Sequence, residues 1–199
     1  MACFEGLKNW FTSKRSTPVP ATEWEIGPWI NGVSRSQGMP RYMAKNPDGS
    51  HQFTFPASIP GVHYVYRASG PMHVGDRLRL RAEITGNGEF EPAGQGDIRP
   101  CDIQLGIERN DNTWNATDPF ERIFTQASVV LKAPMTIDWE VPLTWEFWEG
   151  VVGHVRDEQK FKDCIARAKN VIMGFSGANF AGHGVFVVKG NASFILRSL

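Results

Sequence analysis

Hydrophobic and polar positions alternate with a period of two along most of this chain, which predicts strands with one buried and one wet face. The clearest run is residues 76–85, where Leu78, Leu80, Ala82 and Ile84 face one way and Arg77, Arg79, Arg81 and Glu83 the other. Residues 102–108 repeat the pattern, with Ile103, Leu105 and Ile107 inward and Asp102, Gln104 and Glu108 outward. Residues 122–132 and 136–141 continue it, the latter burying Ile137, Trp139 and Val141. Shorter strands are predicted at 24–26, 51–55 and 62–67, parted by Pro- and Gly-containing connections such as Asn46-Pro47-Asp48-Gly49 and Pro60-Gly61.

The last thirty residues read as three strands, 171–175, 184–188 and 192–196. Gly177, Gly182 and Gly184 punctuate the first gap, and Lys189-Gly190-Asn191 predicts a tight closing hairpin in the second. Such an ending places the C-terminus inside a sheet. One helix interrupts the strands over 157–169, with Phe161, Cys164, Ile165 and Ala168 on one stripe. Asp157 and Glu158 stand at its positive end, and Arg167 and Lys169 at the other. Residues 143–152, with Trp145 and Trp148, fit either a bulged strand or a helical turn. About nine strands and one or two helices, with one wet face per strand, predict an all-β antiparallel sandwich.

Residues 1–20 differ from the rest. Phe4, Leu7, Trp10 and Phe11 recur at spacings of three and four, an amphipathic helical arm that Thr17-Pro18-Val19-Pro20 then stops. The expected organisation is this docking arm and Pro linker, 1–20, followed by one sandwich domain, 21–199. The arm is expected to pack on its own body or on a neighbouring subunit.

Composition narrows the function. Lys plus Arg number 21 and Asp plus Glu 21, so the 199-residue chain is formally neutral. That balance argues against packaging nucleic acid and against a global attraction to anionic membranes. No apolar run approaches the ~20 residues of a spanning helix. The start lacks the apolar core of a secretion signal, so a protein that stays in the cytoplasm is expected. Cys3, Cys101 and Cys164 form no CxxC pair and are expected to be reduced thiols. Trp24, Trp29, Trp139, Trp145 and Trp148 are expected to fill the core.

The succession of strands, one helix and a glycine-punctuated hairpin over 161–199, with Gly174-Phe175-Ser176-Gly177 and Gly182-His183-Gly184-Val185, resembles the β-jelly-roll of carbohydrate-binding modules and lectin-like sandwiches. It is similar as well to the single jelly rolls of viral capsid, decoration and tail proteins, in which an arm often precedes the sandwich. The resemblance is one of fold, and it implies glycan recognition or virion assembly.

Candidate glycan contacts are Trp114, whose polar loop would expose its ring, and His183 between two glycines. A polar shelf of Arg79, Gln104 and Glu108 would accompany them if their strands are neighbours; cross-strand ion pairs are the plainer reading of Arg77, Arg79 and Arg81. The five histidines show no HxH or HExxH spacing, so no transition metal is expected. Asn46 to Ser50 and Asn110 to Asn112 are oxygen-rich loops that leave structural calcium open, although neither has EF-hand spacing. For catalysis, Asp138-Trp139-Glu140 places two carboxylates on one face, with Glu108 as a further candidate, but the Glu-x-Asp-x-x-Glu pattern of jelly-roll glycoside hydrolases is absent. The expectation is therefore a non-enzymatic virion subunit that assembles as a homo-oligomer or with other virion proteins through its arm. A carbohydrate-binding module is the alternative, and a jelly-roll glycoside hydrolase or lyase ranks third.

Overall fold

The computed structural model describes residues 23–94, 100–114, 117–177 and 182–199. The arm residues Phe4, Leu7, Trp10 and Phe11, and Cys3, lie outside the described residues. The strands are β1 (Glu25–Gly27), β2 (Trp29–Ile30), β3 (Val33–Ser34), β4 (Ala44–Lys45), β5 (His51–Thr54), β6 (Tyr64–Ala68), β7 (Arg77–Gly86) and β8 (Glu89–Pro92). There follow β9 (Cys101–Arg109), β10 (Arg122–Thr125), β11 (Val129–Val130), β12 (Met135–Pro142), β13 (Trp148–Gly150), β14 (Ala168–Gly177), β15 (Val185–Lys189) and β16 (Ala192–Ser198). The helix α1 is Glu158–Ala166.

Two antiparallel sheets form the sandwich. One runs β1-β6-β14-β9-β10-β13 with β11 also paired to β9, and the other runs β12-β7-β16-β5-β4. The strands of five or more residues in these two sheets, β6, β7, β9, β12, β14 and β16, alternate between them in chain order. This crossing back and forth is how a jelly roll covers a single core. No helix among the described residues is long and apolar enough to cross a membrane.

Phenylalanines dominate the centre of the core. Phe53 stacks on Phe194 at 5.4 Å, and Phe175 meets both edge-on at 5.8 and 5.6 Å. Edge-to-face and offset contacts of this kind suit the quadrupole of the rings. Trp24 and Trp148 are buried as expected, but Trp29, Trp139 and Trp145 are only partly so. A buried indole needs a partner for its N–H, and Trp148 Nε1 finds Pro142 O at 2.8 Å; the partly buried Trp29 donates to Ile26 O at 3.0 Å.

Several expectations change. The closing segment is not a hairpin: β15 pairs with β8, and β16 inserts between β7 and β5. The turn at Gly190 therefore moves the chain between sheets, although β16 does lie inside one. The predicted strand over 122–132 is broken into β10 and β11, because Gln126 turns away to bond Phe147 O with its N–H and Glu146 O with its side chain. Helix α1 stops before Ala168, which instead opens β14. Asp157 is its N-cap, accepting from the Lys160 N–H at 2.9 Å, and Phe161, Cys164 and Ile165 face the core as expected. Residues 143–152 combine both readings, a 3₁₀ turn at Trp145–Phe147 and then β13.

The decisive departure concerns β9, every residue of which is buried. Ile103, Leu105 and Ile107 join the main core, while Tyr64, Phe124 and Ile172 form a second apolar cluster. That second cluster lies on the opposite face of the seven-stranded sheet, where Trp114 and Gly182 pack against Tyr64. Gly106 makes it possible, since a Cβ there would stand 2.5 Å from the Phe124 ring.

Candidate functional site

On this second face lies a cleft of about 340 Å³. Strand pairing sets its floor. Tyr64 on β6 lies opposite Gly174 on β14, which lies opposite Gln104 on β9, and Arg122 on β10 lies opposite Glu108 on β9. The glycine in the middle of that row lets the Phe124 and Tyr64 rings lie close over the sheet.

Trp114 stands at the cleft in the loop after β9, with φ of 62°. A bulky residue takes this left-handed conformation only when its surroundings hold it there. Here they do. The Trp114 N–H donates to Asn112 Oδ1 at 3.0 Å, and Asn112 Nδ2 donates to Glu108 Oε1 at 2.9 Å. The Thr113 N–H and hydroxyl donate to the two oxygens of Glu121 at 3.1 and 2.9 Å. Glu108 and Glu121 are 3% and 4% exposed, so the loop is tied to two buried carboxylates. At its base Arg109 donates to Asp111 at 2.5 Å and to Asp118 at 2.9 Å.

Against the indole lie two further groups. The Arg122 guanidinium is 4.3 Å from the Trp114 ring centroid, and the Tyr64 ring is 5.7 Å away. Arg122 Nη1 donates to Tyr64 Oη at 3.3 Å. Burial pushes the Tyr64 pKa up, so the phenol stays neutral. Gln104 is fixed by its Nε2, which donates to Thr125 O at 2.6 Å and leaves Oε1 as the free end of the amide.

Imidazoles and one carboxylate complete the walls. His63 Nδ1 lies 2.7 Å from Gly182 O, and burial lowers its pKa. The ring is thus neutral with Nδ1 as the donor, since a carbonyl only accepts. His183 is exposed at the rim. Glu149 on β13, with its side chain 14% exposed, lies 2.5 Å from His154 Nδ1. It is the one carboxylate among the described residues that line the cleft.

The structure brings together three of the five expected contacts: Trp114, His183 and Gln104. Arg79 is elsewhere, on the five-stranded sheet, where it forms a two-pronged pair with Asp138 at 2.7 Å. Glu108 is not an outward shelf residue but a buried anchor behind the Trp114 loop. The shelf fails because β7 and β9 belong to different sheets. Asp138 and Glu140 are exposed and paired to Arg79 and Arg77, the cross-strand ion pairs of the plainer reading. The oxygen-rich loops likewise spend their carboxylates internally: Asp48 accepts from Ser50 and Arg197, and Asp111 from Arg109 and Arg167. Among the described residues no three His, Cys, Asp or Glu gather where a metal ion would be held. Tyr64, His63, Arg122, Glu149 and His154 were not picked out in the sequence. The available signal was glycine inside strands, Gly106 and Gly174, which marks the approach of a large ring.

No family model matches the chain, and no curated protein matches it in sequence. Two solved structures are similar to it. One comes from work on endo-acting O-glycanases that prominent members of the human gut microbiota express to initiate mucin breakdown. It is 12% identical, with a TM-score of 0.41 over 92% of this chain and 95% of that one. The other is a candidate glycoside hydrolase from Bacteroides thetaiotaomicron, 11% identical with a TM-score of 0.38 over 84% of this chain and 59% of that one. Likeness this distant says nothing about the cleft. The expectation of a non-enzymatic protein is withdrawn, since both structures are described as glycan-cleaving proteins.

Proposed function

We propose that the chain recognises glycans in the cleft beneath the Trp114 loop. The carrying observation is the indole itself, held in a left-handed backbone conformation by hydrogen bonds that lead to buried carboxylates. A preorganised aromatic ring beside fixed polar groups is what a sugar needs: its C–H face packs on the ring while its hydroxyls meet directed donors and acceptors. Gln104, His183 and Glu149 supply those polar groups. Trp114→Ala is expected to weaken binding to any glycan identified on an array by about tenfold or more, measured by calorimetry. Equal affinity would remove the reading.

Glu149 favours a second reading, in which the bound glycan is also cleaved. The carboxylate lies in the cleft with an imidazole 2.5 Å away, an arrangement suited to moving a proton. A hydrolase with paired carboxylates requires a second acid, which the described lining residues do not supply. Glu149→Gln should abolish product release from a polysaccharide panel while retaining binding; product at the wild-type rate would exclude this role.

A further inference from the structure

Among the described residues, three buried polar atoms on the cleft lining lack partners: His63 Nε2, and the two that bear on charge selection, Arg122 Nε and Gln104 Oε1. Arg122 is 7% exposed and its Nε has no acceptor; Gln104 is 1% exposed and its Oε1 has no donor. Unpaired groups at such burial are costly, and they are uncommon in folded proteins except where a ligand or water completes them. Arg122 also carries a full charge. Among the described residues no carboxylate lies within salt-bridge distance of it. Its cross-strand neighbour Glu108 gives its two oxygens to Asn112 and Asn170 instead, at 2.9 and 2.7 Å. Glu149, the carboxylate on the cleft wall, is engaged by His154.

A ligand that satisfies both atoms must present an acceptor to Arg122 and a donor to Gln104. Any sugar hydroxyl can do either. The guanidinium discriminates further, because a buried cation gains most from an anionic acceptor, and its planar fork suits a carboxylate or sulfate. Arg35 at the cleft adds a second positive charge. We infer that the cleft selects acidic sugars, with Arg122 binding the anionic substituent and Gln104 Oε1 accepting from a neighbouring hydroxyl. This rests on the glycan reading above and names its ligand class.

The test is an immobilised glycan panel with neutral, carboxylate-bearing and sulfated members, followed by calorimetry on matched pairs. Trigalacturonate is compared with its methyl ester, and N-acetylglucosamine 6-sulfate with N-acetylglucosamine. The wild type should prefer the charged member of at least one pair by about tenfold, the worth of a charge-assisted hydrogen bond. Which pair responds separates a carboxylate from a sulfate. Arg122→Gln should erase the preference, so that the charged and neutral members of the pair bind alike. Because Arg122 packs on Trp114, the fold of that variant is checked by near-ultraviolet circular dichroism; if it does not fold, the wild-type ratios still decide. Equal affinity for charged and neutral members overturns the inference and leaves the glycan cleft standing. Binding to no member of the panel overturns both.

Discussion

The side-chain amide of Asn112 donates to the buried carboxylate of Glu108 at 2.9 Å, and this one bond ties the tip of the tryptophan loop to the centre of a sheet. Asn112 then uses its carbonyl oxygen to receive the Trp114 N–H. A residue in a surface loop is thereby given the positional certainty of a strand. The loop's geometry depends on a carboxylate that an alternating pattern would assign to solvent.

Asn112→Ala is therefore expected to cost about 1–3 kcal/mol, since it leaves a buried carboxylate oxygen without its donor. Urea denaturation would measure the loss. Glycan affinity should fall as well, because Trp114 loses the acceptor that holds its backbone. A stable variant with unchanged affinity would show that the loop is held by Glu121 and Arg109 alone.

Gly182 packs on Tyr64 so closely that a Cβ would stand 2.0 Å from its ring, and its φ is 78°. Gly182→Ala combines overpacking with an unfavourable backbone conformation, and should destabilise the protein by about 2–4 kcal/mol. Any folded fraction should bind glycans poorly, because the Tyr64 ring, which packs against Trp114, would be displaced. Thermal unfolding of the variant beside the wild type checks the first claim.

Acid should loosen the base of the same loop. The hydrogen bond from Arg109, followed by that from Arg167, holds the Asp111 carboxylate below its ordinary pKa of 3.8. A group with a lowered folded-state pKa adds stability above its unfolded pKa and loses it as pH falls through the folded one. The wild type should thus lose stability progressively below about pH 4, and Asp111→Asn should show a shallower fall over that range. Melting temperatures recorded across an acid series would show identical slopes if the pair contributes nothing.

Two thiols should be inert in the native state. Cys101 and Cys164 are buried and form no disulfide among the described residues, and burial pushes the Cys164 pKa up to about 12. The thiolate is the reactive form, so alkylation of these two by iodoacetamide should require denaturant. Peptide mass spectrometry would detect labelling; modification of Cys164 under native conditions would contradict its burial.

Much of the sandwich was legible because period-two alternation is a local signal. In β7 the alternating sides are those predicted, with Leu80, Ala82 and Ile84 inward and Arg79 outward, and β12 likewise buries Ile137 and Val141. Trp114 was legible as a candidate for the same reason, a large ring in a run of small polar residues. The ion pairs of Arg77 and Arg79 with Glu140 and Asp138 follow from the same alternation, once β7 and β12 are neighbours.

What the sequence by itself determined was the class of each segment and the side of each strand that prefers an apolar environment, since both depend on residues two positions apart. The tertiary structure decided what covers the other side. Gln104, Glu108 and Arg122 are polar residues on the outward side of their strands, and only the packing of distant loops over that face buries them. Sheet membership was decided there too, because Arg79 and Gln104 lie 25 residues apart in a chain that crosses between sheets. Pairing between strands is a long-range choice, settled by which arrangement buries the shared core, and no short window of sequence contains it.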